Sequence, residues 1–226
     1  MKFHLSVVII LSVLLNPLRG VAQEIKLDSI SRPNVYVPRL ELFKSFRHSK
    51  KDIVLLGNSI TFWGEWGELL RSSHIKNRGI PGDNTFGVLE RLDEVIDGKP
   101  RKVFILIGIN DVSAGIPDSI IIRNYKRMIT RIKEGSPRTR IYFQTLLPTN
   151  SSFTRQMNHF NKEAHILKIN AALIEIAAEE RITLIDIHTP FSDASGHLFK
   201  DCTWDGVHLT KKGYYIWADI LKKYIN

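Results

Sequence analysis

The chain has 226 residues, of which 43% are hydrophobic and 24% charged, and it carries a net charge of +9 and one cysteine. This balance is typical of a folded globular chain and excludes collagenous and disordered classes. A lone cysteine, Cys202, excludes a disulfide scaffold and any metal site built from several thiolates. The 32 Lys and Arg residues exceed the 23 Asp and Glu residues, so polyanionic partners have to be considered.

Residues 1–22 have the pattern of a secretory signal peptide. Lys2 gives a basic start, residues 5–15 are almost wholly apolar, and Gly20 and Ala22 are the small residues before the cleavage site. The apolar run is shorter than the roughly 20 residues that span a bilayer. An uncleaved anchor or a buried terminal helix is the alternative. We expect cleavage after Ala22 and export to a periplasm or the medium, with no integral membrane segment in the mature chain.

Apolar runs alternate with helical patterns along the rest of the chain. Residues 23–51 are expected to form an N-terminal arm with a short helix. Runs buried on both faces of a parallel sheet lack polar alternation, and such strands are predicted at residues 53–56, 74–76, 103–107, 141–143 and 182–185. Helices are predicted between them and at residues 211–224. The sequence therefore predicts one α/β domain over residues 52–226, a flavodoxin-like three-layer α/β/α sandwich with about five parallel strands.

Two of the predicted helices have apolar residues at helical spacing, which predicts a buried face. In the first helix these are Ile121, Tyr125, Met128 and Ile132. In the second they are Phe160, Ala164, Leu167, Ala171, Ile174 and Ala178. Arg123, Arg127 and Arg131 share another face of the first helix. We expect that face to be solvated and to account for part of the positive charge.

Functional groups in such a sheet belong on loops at the carboxyl ends of the strands. The first candidate loop is Gly57-Asn58-Ser59-Ile60-Thr61, directly after the first strand. A serine at a strand-to-helix turn presents its hydroxyl to solvent and its backbone N–H to an anion. The alternative is an ordinary helix cap, and the segment lacks the second glycine of a G-x-S-x-G nucleophile turn.

Two further loops offer hydrogen-bond donors. Residues 77–85 contain Gly79 and Gly82, which permit a tight loop whose backbone N–H groups approach a ligand. The segment Gly108-Ile109-Asn110-Asp111 ends the third strand, and the amide of Asn110 can donate to a developing oxyanion. Taken separately, the first segment is simply a turn and the second an Asx turn.

The fourth segment, Trp204-Asp205-Gly206-Val207-His208, precedes the last predicted helix. A separation of three lets Asp205 and His208 lie on the same side of one turn. The carboxylate can then bind one imidazole nitrogen and leave the other free to accept a proton from a hydroxyl. A satisfied loop interaction is the ordinary alternative for such a pair.

Together these four segments resemble, in order and position, the signature blocks of the SGNH/GDSL hydrolase family, over residues 52–225. The chain looks most similar to the single-domain branch that includes platelet-activating-factor acetylhydrolase subunits and bacterial carbohydrate acetylesterases. The resemblance implies that Ser59 is the nucleophile, that His208 is the base and that Asp205 orients it. It also implies an oxyanion hole made of the Ser59 N–H, the Gly79 N–H and the Asn110 amide.

Asn58 stands where the family's name motif has Asp, a variant that occurs in this branch. Further substrate contacts are expected from Trp63 and Asp111, together with Asn58, although an aromatic residue here can also anchor the first helix. Residues 149–160 form a long segment that we expect to carry a mobile lid.

The resemblance implies a serine esterase that hydrolyses acetyl esters on a small molecule or glycan, without a metal or organic cofactor. A lysophospholipase or other lipid acyl esterase is the alternative, and a non-catalytic carbohydrate-binding module is the alternative of another class. Nucleic acid is not expected as a partner, because the aromatic-basic motifs of its common binding domains are lacking. His159, His165, His188 and His197 lack metal-ligand spacing and are expected on loops or the surface. A homodimer is left open.

Overall fold

The computed structural model describes residues 31–225. The expected signal peptide and its cleavage site lie outside these residues and stay predictions. Within residues 31–225, none of the helices combines the length and the apolar character that crossing a bilayer requires.

Five parallel strands form one sheet in the order β2-β1-β3-β4-β5. The strands are β1 Ile53–Gly57, β2 Ile75–Gly79, β3 Lys102–Leu106, β4 Arg140–Gln144 and β5 Thr183–Ile185. Every residue of β1 and β3 is buried, as expected for central strands covered by helices on both faces. The predicted α/β fold with about five parallel strands is confirmed.

Two groups of helices cover the two faces of the sheet. The α-helices of the described residues are α1 Tyr36–Ser45, α2 Ser59–Phe62, α3 Trp66–Leu70, α4 Thr85–Glu90, α5 Leu92–Gly98, α6 Ile109–Ser113, α7 Asp118–Gly135, α8 Glu163–Glu180 and α9 Lys211–Ile225. Helix α3 packs against α9, and α7 packs against α4, α5 and α8. The chain thus has a helical layer on each side of the sheet.

The carboxyl ends of the three strands nearest the candidate site are in register. Gly57 of β1 pairs with Gly79 of β2 and with Leu106 of β3. The second strand had been expected at residues 74–76, but it extends to Gly79. Strand β2 lies at the edge of the sheet, and Lys76 and Asn77 are partly exposed, so hydrophobicity alone does not reveal its full length. Residues 77–79 therefore belong to the strand and not to the following loop.

Of the two predicted buried helix faces, the one on α7 is confirmed and the one on α8 is wrong. In α7, the residues expected to be buried, such as Tyr125 and Met128, are buried. In α8 the predicted face is wrong, because Leu167 and Ile174 are 55% and 60% exposed. The buried residues of α8 are Ile166, Ile169, Asn170, Leu173, Ile176 and Ala177. This helix has apolar residues on both sides, so spacing alone does not identify the face that packs on the sheet.

Helix α1 packs over the loop that follows β2. Tyr36 and Phe43 of α1 form a small apolar cluster with Ile80 of that loop. The Tyr36 hydroxyl donates a hydrogen bond of 2.7 Å to the carbonyl of Gly87 in α4. The N-terminal helix thereby supports the loop between β2 and α4 from outside.

A fully buried ion pair fixes the same loop from inside. Arg91 Nε lies 2.8 Å from Asp83 Oδ2, and neither side chain is exposed to solvent. Arg91 Nη2 donates to the carbonyl of Gly57 at 3.0 Å. Because Gly57 ends β1 and Asp83 lies in the loop after β2, one guanidinium holds two neighbouring strand ends together.

Substitution of Arg91 by Met is expected to lower the free energy of unfolding by about 3–5 kcal/mol, because it leaves the Asp83 carboxylate buried and unpaired. Urea unfolding followed by tryptophan fluorescence measures this change. The matched control is Lys126→Met, which breaks an exposed ion pair with Glu179 and should cost at most about 1 kcal/mol. Equal small losses for the two variants would contradict the role given to Arg91.

Candidate active site

The serine turn lies at the carboxyl end of β1, and Ser59 is the first residue of α2. The helix is capped by Asn58, whose Oδ1 accepts the N–H of Ile60 at 3.0 Å. An N-cap side chain satisfies one of the backbone donors that the first helical turn leaves open. Since Asn58 does this, the Ser59 hydroxyl is free to make another contact.

That contact is with His208. His208 Nε2 lies 2.8 Å from Ser59 Oγ, and His208 Nδ1 lies 2.6 Å from Asp205 Oδ2. A carboxylate only accepts hydrogen bonds, so Nδ1 carries the proton and Nε2 is the acceptor for the serine O–H. The structure brings together the three residues expected to form a catalytic triad.

Asp205 is completely buried and is surrounded by donors. Its Oδ1 accepts the backbone N–H groups of Val207 and His208, and its Oδ2 accepts from the His208 ring and from Gln156 Nε2. Burial alone would raise the pKa of Asp205, but the hydrogen bonds from His208 and Val207 outweigh it and hold that pKa below its usual value. The carboxylate therefore stays ionised at neutral pH and fixes the ring orientation of His208.

Asn110 lies in the first turn of α6, at the end of β3. Its Nδ2 donates to the carbonyl of Asp83 at 2.7 Å, and its Oδ1 lies 3.1 Å from His159 Nε2. The amide is thus held at both ends between the loop after β2 and the segment before α8. Of its two N–H bonds, one is directed to Asp83.

The oxyanion donor expected at Gly79 is not supported by the structure. The Gly79 N–H donates to Asn77 Oδ1 at 2.9 Å, and Gly79 is the last residue of β2 instead of a loop residue. The glycine is required for a different reason: a Cβ at this position would lie 2.3 Å from the backbone nitrogen of Phe62. Gly79 therefore lets α2 approach the sheet closely.

Gly82 lies three residues further along, in the loop itself, and its φ of 77° is in the left-handed region that favours glycine. The next residue, Asp83, supplies the carbonyl that accepts the Asn110 amide. Gly82 is consequently the loop glycine adjacent to the Asn110 contact. Of the two glycines in residues 77–85, Gly82 lies in the loop and Gly79 ends the strand.

The three residues expected to contact substrate have different surroundings. Trp63 is 57% exposed and packs edge-to-face on Phe62. Asn58 is buried and lines a cavity beside the serine. Asp111 is completely buried, and its two oxygens accept the backbone N–H of Thr85.

The substrate contact expected of Asp111 is therefore wrong. Its Oδ1 also accepts the Thr85 hydroxyl at 2.5 Å, so the side chain joins α6 to the start of α4. Burial raises the pKa of Asp111 to about 7, although the hydrogen bonds from Thr85 act in the opposite direction. Asp111 positions two loops and does not line the reaction site.

The cavity beside the serine is small and mostly apolar. Its volume is about 10 Å³, and its walls include Ile60, Ile109 and Val207. These residues directly adjoin Ser59, Asn110 and His208 in the sequence. Each of the three groups proposed to act on the substrate therefore has an apolar neighbour at the same cavity.

Three side chains near the triad were given no role in the site by the sequence analysis. Trp204 stacks on the ring of His208, with centroids 5.3 Å apart and planes 17° from parallel, and it is 48% exposed. Gln156 and His159 reach the site from the segment before α8. The position of Trp204 next to Asp205 could have identified it, whereas no local pattern distinguishes Gln156 or His159.

Within the part of the chain that the structure describes, there is no group of three or more His, Cys, Asp or Glu side chains arranged to hold a metal ion.

Comparisons with known proteins agree with this geometry. Residues 55–216 match the model of the GDSL-like Lipase/Acylhydrolase family. The chain is 25% identical to the isoamyl acetate-hydrolyzing esterase of Saccharomyces cerevisiae, over 77% of this chain and 76% of the relative. It is 26% identical to the platelet-activating factor acetylhydrolase IB subunit alpha1 of Homo sapiens, over 74% of this chain and 72% of the relative.

A solved structure described as a platelet activating factor from Streptococcus pneumonia has the same fold. It matches with a TM-score of 0.77 and 28% identity, over 85% of this chain and 91% of that chain. The match of the family model covers more than half of the chain and contains Ser59, Asn110, Asp205 and His208. The chain belongs to the GDSL-like lipase/acylhydrolase family and is a carboxylic ester hydrolase.

Proposed function

We propose that the protein is a serine esterase that removes short acyl groups, acetyl above all, from carbohydrate esters. The observation that carries the esterase assignment is the chain of hydrogen bonds from Ser59 through His208 to Asp205. A serine activated by a neutral imidazole, itself oriented by a carboxylate, is the arrangement that transfers acyl groups.

In the proposed mechanism, His208 Nε2 accepts the hydroxyl proton as Ser59 Oγ attacks the ester carbonyl. Asp205 stabilises the imidazolium that forms. The Nε2 proton then goes to the leaving alcohol as the acyl–oxygen bond breaks, which leaves an acyl-serine. A water molecule, deprotonated by His208, releases the acid and restores the serine. These steps use side chains of the protein and water alone.

The negative charge on the tetrahedral intermediate needs preorganised donors. We assign the Ser59 N–H at the start of α2, the second N–H of the Asn110 amide and the N–H of Gly82. The contact of Asn110 with Asp83 supports the choice of Gly82, because it places that glycine beside the amide. Gly79 is omitted, since its N–H is already bonded to Asn77.

The names of two relatives support a short acyl group: an isoamyl acetate esterase and an acetylhydrolase act on acetyl compounds. For the alcohol part, exposed Trp63 and Trp204 offer aromatic faces on which a sugar ring can pack.

Hydrolysis of p-nitrophenyl esters of increasing chain length tests the reaction and the acyl preference together. The kcat/KM is expected to be highest for acetate and to fall steeply by octanoate, and Ser59→Ala should lower kcat by about 10⁴–10⁶. Ser73→Ala, at an exposed serine, is the matched control and should keep full activity. A maximum at octanoate would favour lipid acyl esters, and a folded but inactive wild type would favour a binding module.

Asn110→Ala is expected to lower kcat for p-nitrophenyl acetate by about 10²–10³, with KM nearly unchanged, because an oxyanion donor acts mainly in the transition state. Steady-state kinetics measure both constants, and circular dichroism checks that the fold is retained. A folded variant with a wild-type kcat would remove Asn110 from the oxyanion hole.

The carbohydrate preference is tested at Trp63. Trp63→Ala is expected to raise KM for an acetylated xylo-oligosaccharide by about 5- to 10-fold, the loss of one aromatic contact. Its kcat/KM for p-nitrophenyl acetate should stay unchanged, since Trp63 has no contact with the triad among the hydrogen bonds and ring pairs of the described residues. Equal effects on both substrates, or none on the oligosaccharide, would contradict a sugar contact at this tryptophan.

A further inference from the structure

The segment between β4 and α8 reaches the active site at its C-terminal part. Within it, residues 150–160 begin and end at two buried residues, Asn150 and Phe160, and both of these lie against Gly206. The Asn150 N–H donates to the Gly206 carbonyl at 2.9 Å, and the Phe160 ring would be 2.8 Å from a Cβ on Gly206. Because Gly206 follows Asp205, the segment is fastened at both ends beside the triad.

Between these ends, two side chains turn toward the site. Gln156 Nε2 donates to Asp205 Oδ2 at 3.2 Å, and His159 Nε2 lies 3.1 Å from Asn110 Oδ1. Their neighbours Met157 and Asn158 are exposed. The short 3-10 helix Met157–His159 thus presents one histidine inward and its other side chains to solvent.

The contact with Asn110 has one chemical interpretation. Asn110 Nδ2 donates to the Asp83 carbonyl, so the atom facing His159 is the amide oxygen, which only accepts. His159 must therefore donate, and its proton lies on Nε2. The amide is fixed at both atoms, and a flip by 180° would set its NH2 group against the His159 N–H and its oxygen against the Asp83 carbonyl.

Electrostatics favour a neutral ring at this position. Burial lowers the pKa of His159, and the nearby His208 lowers it further. A neutral imidazole can still donate from Nε2, and it adds no positive charge next to His208 when that residue takes the serine proton. The His159 ring is therefore better suited to act as a fixed hydrogen-bond donor than to carry a proton during the reaction.

We propose that His159 is a positioning residue of the oxyanion hole: its Nε2–H holds the Asn110 oxygen and so directs the amide N–H toward the substrate. His159 acts through Asn110 and does not contact the reacting atoms. This role rests on the proposed function, since it requires Asn110 to stabilise the oxyanion.

The test is a double-mutant cycle on the full mature protein with p-nitrophenyl acetate. The variants are His159→Ala, His159→Leu, His159→Gln, Asn110→Ala and the double variant His159→Ala/Asn110→Ala. Glutamine can place an amide N–H near the position of the histidine Nε2–H, whereas leucine fills space without donating. Asn158→Ala, at the exposed neighbour, is the matched control for disturbance of the segment.

His159→Ala and His159→Leu are expected to lower kcat by about tenfold, the effect of losing one orienting hydrogen bond, and to change KM by less than about twofold. His159→Gln should recover most of the activity, and Asn158→Ala should resemble wild type. In the Asn110→Ala background, His159→Ala should have no further effect, because the group it orients is gone.

Three results would overturn the proposal: a full tenfold loss from His159→Ala in the Asn110→Ala background, a change in KM instead of kcat, or a glutamine variant no more active than the leucine variant. Failure of the proposed function is distinguishable, because Asn110→Ala alone would then leave kcat unchanged. Unfolding temperatures of all variants, expected within a few degrees of wild type, show that each comparison is made on folded protein.

Discussion

Because all five strands of the sheet run parallel, their carboxyl ends meet at one edge, and the active site depends on that constraint. Ser59 and His208 are 149 positions apart in the sequence, yet their side chains lie 2.8 Å from each other. The register of Gly57 with Gly79 and Leu106 brings the loops after β1, β2 and β3 to the same height. In open α/β sheets, ligands bind at this edge for the same reason.

The loops at that edge are made rigid by buried polar groups. Arg91 ties Asp83 to the end of β1, and Asp111 binds both the N–H and the hydroxyl of Thr85. Buried charges and carboxyls have to be satisfied by partners, so each of these groups fixes one loop relative to another. Such preorganisation matters for an oxyanion hole, because donors already in place need not reorganise as the negative charge develops.

The sequence predicted the fold from local signals, and the resemblance of four segments to a known family implied the triad residues, whose side chains the structure brings together. Apolar runs marked the central strands, and Ser59, Asn110 and His208 each follow or precede a recognisable element. Gly79 was predicted to be a loop residue because the edge strand β2 is polar, and a polar segment of this kind has the composition of a loop. The prediction for Asp111 was wrong because the sequence around this carboxylate, next to Asn110, gives no sign of its burial.

Long-range contacts outside the four segments that resemble the family blocks could not be predicted from the sequence. The three-dimensional path of the segment before α8 decides that His159 meets Asn110, 49 positions away, and no pattern within the segment encodes it. The buried face of α8 was equally ambiguous, since Leu167 and Ile166 are both apolar and only one of them packs inward. The motifs of the sequence therefore identified the candidate reacting groups, while the packing of distant segments determines which other residues contact them.

The central claim is that Ser59 is a nucleophile activated by His208 and Asp205. Labelling with a fluorophosphonate, followed by mass spectrometry of the peptides, tests it most directly. We predict one label per chain, located on Ser59, absent in Ser59→Ala and formed much more slowly in His208→Ala. A label on a different serine, or a folded wild-type protein that takes up no label, would contradict a nucleophilic role of Ser59.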